Sequence, residues 1–146
     1  MTSDLEALVD DAFAAFEDGN LEGAIDAGRR ALAVDPTDPD ANHVLGAALL
    51  EAGEPFEAKP HLERAVEGDE ENIDALVGLG TAHFECLDLA RARSVLTLAT
   101  ELEPDNADAW FGLGLVVWFS FAVLGDPGMC RGFYFLLLCA ASVRRG

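Results

Sequence analysis

Three histidines, three cysteines and a surplus of carboxylates carry whatever chemistry this 146-residue chain can do. No two of His43, His61 and His83 stand at the i,i+4 spacing that puts two imidazoles on one helical face, so the spacing predicts no metal centre. Cys86, Cys130 and Cys139 are odd in number and lack CxxC spacing, which suggests neither a disulfide framework nor a zinc ribbon and fits a reducing compartment. Cys86, flanked by Glu85 and Asp88, has none of the cationic neighbours that activate a thiol. The acidic runs Asp10-Asp11, Glu17-Asp18 and Asp69-Glu70-Glu71 read as turns and solvated faces, whereas acid–base work needs a carboxyl in a dry cleft beside a partner. Gly78-Leu79-Gly80 and Gly112-Leu113-Gly114 superficially look like pieces of a phosphate loop, yet each lacks the third glycine. No GxxxxGK[ST] loop or GxSxG elbow occurs. The expectation is no catalytic residue, no cofactor and no enzyme.

Charge narrows the partners further. Against 27 acidic residues stand 9 basic ones, of which Lys59 is the only lysine, giving a net charge of -18. Such a surface repels nucleic-acid phosphates and anionic lipid headgroups, so no nucleic acid is expected as a partner. Acid excess with scarce lysine resembles the proteins of salt-loving archaea, whose carboxylate-rich surfaces stay hydrated in concentrated salt. Met1 to Asp11 is acidic and lacks the basic and apolar stretches of a secretory leader, so a cytoplasmic location is expected.

The elements that hold these residues follow from an internal repeat. At an offset of 34 residues, Ala24, Ala58 and Ala92 align, and so do Ala31, Ala65 and Ala99. Leu45, Leu79 and Leu113 form another column beside Ala12, Gly46, Gly80 and Gly114, and Phe16, Leu50, Phe84 and Trp118 a bulky one. Asp35-Pro36 and Glu103-Pro104 close units that Gly19 and Gly53 interrupt at mid-length. Each unit therefore reads as two short antiparallel helices. These run about 4–17 and 21–34, then 40–52 and 56–67, then 73–86 and 89–102, with Asn106 capping a further helix from Ala107. Asp38 reads as a cap with Pro39 at the first helical position, and Asn72 as the cap of the fifth helix. A lone pair cannot bury its apolar face, so the units must stack.

This pattern resembles the tetratricopeptide repeat. Gly19-Asn20-Leu21-Glu22-Gly23-Ala24-Ile25 followed by Ala31-Leu32-Ala33-Val34-Asp35-Pro36 carries the match in the first unit. Leu79-Gly80, Ala92, Ala99 and Pro104 carry it in the third, and Trp110, Leu113 and Gly114 in the fourth. Asp11 in place of Leu, Glu70 in place of the closing Pro and Leu87 in place of the mid-repeat Gly depart from it. The resemblance implies an all-α fold, a right-handed superhelix of antiparallel helix pairs, or α-solenoid. Its expected organisation is an array over 1–118 (repeats 5–38, 39–72 and 73–106, with a partial fourth at 107–118) and an atypical apolar segment over 119–146.

The resemblance also implies a binding face, because the first helix of each repeat lines a concave groove with its positions 2, 5, 9, 12 and 13. Here these are Glu6, Val9, Phe13, Phe16 and Glu17, then Asp40, His43, Ala47, Leu50 and Glu51, then Asp74, Val77, Thr81, Phe84 and Glu85. The expected groove has an apolar floor and acidic edges, suited to a peptide or helix of another protein with apolar anchors and basic flanks. None of these positions holds the Lys or Arg of the carboxylate clamp by which one subfamily grips chaperone tails.

Composition changes in the last quarter. Residues 1–108 hold 26 acidic and 6 basic side chains, a net of -20, against 1 and 3 over 109–146, a net of +2. Asp126, Cys130 and Phe133 also break the repeat columns. Ala109 to Gly125 carries no charge, at the lower edge of the roughly 17 to 25 residues a membrane helix needs, and Gly132 to Val143 adds a second apolar run. Three readings stay open for this tail: a degenerate repeat with a capping helix, a membrane anchor through 109–143, or a change of reading frame near Trp118. The expected function is a protein-interaction scaffold. The alternative is an assembly factor tethered to a membrane by the tail.

Overall fold

The computed structural model describes residues 2–125, and these form seven α-helices. They are α1 (Thr2–Glu17), α2 (Leu21–Val34), α3 (Pro39–Glu51), α4 (Pro55–Gly68), α5 (Ile73–Glu85), α6 (Leu89–Leu102) and α7 (Ala107–Leu124). The starts are fixed by side chains that accept from otherwise unpaired first-turn amides. Asn20 accepts from Gly23, Asp38 from Ala41, Asn72 from Ala75, Asp88 from Arg91 and Asn106 from Ala109, at 2.7 to 3.3 Å. Helix α4 has no such side-chain cap and begins instead on Pro55, which has no amide to satisfy.

Each pair turns back through the same hydrogen-bonded stop. The N–H groups of Asn20, Glu54 and Asp88 reach back to the carbonyls of Ala15, Leu49 and His83 at 2.8 to 2.9 Å, and the residue before each takes positive φ. Gly19 and Gly53 adopt φ 74 and 83 without penalty, whereas Leu87 is held at φ 61, a conformation in which its Cβ crowds the following carbonyl. The turn is conserved in shape even where its glycine is missing. Between pairs, Asp35 accepts from the amide and hydroxyl of Thr37, and Asp69 accepts from the amide of Glu71. Asp69 thus holds the turn that has Glu70 where proline was expected.

Within pairs, α1 packs on α2, α3 on α4 and α5 on α6, and α1, α3, α5 and α7 also lie side by side in that order. The alanine columns are the floor of this packing: Ala24, Ala58, Ala92, Ala31 and Ala99 are fully buried. The glycines are notches. A Cβ on Gly46 would stand 2.6 Å from Leu62 Cγ, and one on Gly80 would stand 2.5 Å from Leu96 Cγ. Gly78 and Gly112 approach the other sides of the same leucines, with ideal Cβ positions 3.2 and 3.1 Å from their Cδ2 atoms. Gly78-Leu79-Gly80 is therefore a pair of leucine seats inside a helix and Gly112 a further one, which accounts for the likeness to a phosphate loop.

Candidate interaction face

The expected groove positions lie on α1, α3 and α5, and some reach into the core: Leu50 packs against the cluster of Leu45, Leu49, Ala58 and Leu62, and Phe84 against that of Ala92 and Leu96. Glu6, Glu17, Asp40, Glu51, Asp74 and Glu85 are exposed, and Phe13, Phe16, His43, Ala47, Leu50, Val77, Thr81 and Phe84 are half-buried between them. Val9 differs from the rest: it is buried against Ala31 and Ala41 and supports the face from beneath. Neighbouring helices bring these side chains together. The Phe13 ring meets His43 edge-on at 5.9 Å, and the Thr81 hydroxyl is turned inward to donate to the Val77 carbonyl at 2.9 Å.

Burial pushes the His43 pKa down, against the opposing pull of Asp74 and Asp40, so the imidazole is neutral at neutral pH. The other histidines have structural surroundings. His61 Nδ1 lies 3.1 Å from Oδ1 of the fully buried Asn42, whose amide donates to the carbonyls of Pro36 and Asp38 and so ties α4 to the turn between α2 and α3. His83 is only 3% exposed, with Glu63 and Asp88 at 3.9 and 3.8 Å and no hydrogen-bond partner for Nδ1. Burial lowers its pKa, with the two carboxylates working the other way. Among the described residues no group of three or more His, Cys, Asp or Glu side chains is arranged to hold a metal ion.

The face continues onto α7, beyond the positions expected from three repeats. Carrying the 34-residue offset once more gives Asp108, Phe111, Leu115, Trp118 and Phe119. Phe111, Leu115 and Trp118 are exposed, whereas Leu113, Val116 and Val117 on the other side of the helix are buried with Ala92 and Leu96. Phe119 packs edge-on against Phe84 at 5.6 Å and an interplanar angle of 83°. The apolar run that suggested a membrane anchor is in part this helix. No helix of the described residues is long and apolar enough to cross a membrane, and residues 126–143 of that expectation lie outside them.

The architecture is that of a tetratricopeptide-type superhelix, and residues 49–114 match the tetratricopeptide repeat family. Among solved structures, one MamA protein is 25% identical with a TM-score of 0.81, over 97% of this chain and 75% of its own. YrrB, described as a tetratricopeptide protein with an unusual peptide-binding site, is 24% identical with a TM-score of 0.81, over 99% and 71%. The first tetratricopeptide domain of Spaghetti (RPAP3), bound to an HSP90 peptide, is 23% identical with a TM-score of 0.72, over 77% and 89%. No curated protein sequence matches the chain.

Proposed function

We propose that the chain is a protein-interaction scaffold that holds an extended segment or a helix of another protein along the face formed by α1, α3, α5 and α7. The observation that carries this is a row of half-buried side chains from Phe13 to Phe84, apolar except for His43 and Thr81, edged by six exposed carboxylates and with no Lys or Arg at the groove positions. Peptides bound by proteins of the same fold support it. The partner segment carries apolar anchors for the floor and Lys or Arg for the edges.

Floor and edge separate kinetically. Leu50→Ala with Phe84→Ala accelerates dissociation of a partner, while Glu51→Lys with Glu85→Lys mainly slows association, both read by surface plasmon resonance. A variant with all four changes that is folded by circular dichroism and keeps full affinity removes this face as the binding site. The acid excess and single lysine favour the cytoplasm of a salt-loving archaeon as the setting. Repulsion over 1–108 is then screened by its own medium, and the thermal midpoint rises between dilute and molar KCl. An unchanged midpoint rejects that setting.

A further inference from the structure

The two edges of the face end differently at α7. On one edge Glu6, Asp40 and Asp74 are followed by Asp108, so the acidic row runs on. On the other, Glu17, Glu51 and Glu85 are followed by Phe119, which meets Phe84 edge-on instead of adding a carboxylate. The floor changes with it: Val77, Thr81 and Phe84 are half-buried, whereas Phe111 is 69% and Trp118 55% exposed. Acid dominates at α1 to α5, and aromatic surface at α7.

We propose that the face is polarised along the array, and that its partner is a segment of about ten residues, basic along most of its length, with a large apolar or aromatic residue at the end that reaches α7. This rests on the peptide-binding reading above and adds an orientation to it. The length follows from geometry. Neighbouring helices pack 8–10 Å apart, so the three steps from α1 to α7 span roughly 25–30 Å, and an extended chain rises about 3.3 Å per residue. One step then equals about three residues, which sets the anchor spacing. Charge favours this occupant over a second copy, because pairing two chains of net -18 brings like-charged edges together. It also favours it over an anionic membrane, since α7 has no basic residue to meet headgroups.

Two fluorescent decapeptides test this with the full chain. Both carry Leu at every third position and Lys between; one ends in Trp, the other in Ser. The Trp peptide is expected to bind about tenfold more tightly, roughly the effect of one well-seated aromatic anchor. Phe111→Ala with Trp118→Ala abolishes that ratio. Taking the ratio at fixed salt cancels diffuse attraction to an acidic protein, and Glu67→Lys, off the face, leaves it unchanged. If Leu50→Ala with Glu51→Lys weakens both peptides while the α7 variants leave the ratio intact, the groove binds and the polarity is overturned. If neither set matters, the groove reading itself fails. A stable dimer by sedimentation that Trp118→Ala dissolves overturns the proposal in favour of a second copy.

Discussion

The six helices α1 to α6 and the single helix α7 follow one 34-residue pattern but dispose of their apolar surface in opposite ways. In α3 and α5, Gly46 and Gly80 are filled at once by Leu62 and Leu96 from the helix that follows. In α7, a Cβ on Gly114 would meet no described atom within 4 Å, and Phe111, Trp118, Phe121 and Val123 stand exposed. The same glycine column thus makes room for a leucine in α3 and α5 and stands open in α7.

Steric substitution should split the two regions most widely. Ala92→Phe, at a fully buried position of α6 clustered with Leu96, Leu113 and Val116, is expected to cost about 3 kcal/mol or more, whereas Glu67→Phe on the surface changes little. Gly80→Ala is expected to cost about 1–3 kcal/mol as Leu96 is displaced. Gly114→Ala should instead gain up to about 1 kcal/mol from helix propensity alone. Urea unfolding measures all four, and a loss at Gly114 equal to that at Gly80 would break the comparison by placing an occupant in the open notch.

A smaller effect lies at the third turn. Leu87, 69% exposed at φ 61, does what Gly19 and Gly53 do without strain, so Leu87→Gly is expected to stabilise by about 1 kcal/mol. A thermal midpoint that fails to rise would mean the leucine contributes a contact that offsets its backbone cost.

The smallest and most conditional effect is on pH. His83 has a folded pKa below its ordinary 6.5, so the unfolded chain binds its proton more readily. Its contribution is fully present above pH 6.5 and is lost as pH falls below that value. Protonation of surface carboxylates relieves repulsion at still lower pH and works the other way, so the measurement is the difference between native protein and His83→Gln. Stability curves that run parallel from pH 7.5 to 5.5 would remove His83 as the cause.

Much of this was legible in the residues. Asp38, Asn72 and Asn106 each cap the helix expected after them, because an Asx side chain before an apolar period is a local signal, and Asn20 caps α2 in the same way without having been singled out for it. Leu21–Val34 and Leu89–Leu102 coincide with expectation for the same reason. The pairing of His61 with Asn42 was not legible, since 19 residues separate them and only the packing of α3 on α4 joins them. The extent of α7 was obscured by the broken columns after Trp118, although Gly125, in the left-handed conformation that ends the helix, was a local stop signal. Phe111, Leu115, Trp118 and Phe119 could have been added to the face by one more step of the offset. The change in composition there drew attention to the tail instead.

The leucines seated between two glycines have a mechanical consequence. Leu62 touches Gly46 in its own repeat and Gly78 in the next, and Leu96 bridges Gly80 and Gly112 in the same way. Each is a rivet shared by adjacent units, so a repeat cannot open without loosening its neighbour, and a boundary between folded and unfolded repeats carries the cost of an empty seat. Hydrogen exchange should therefore report one cooperative block from α3 to α7, and Leu62→Ala should divide that block in two, letting the ends fray independently.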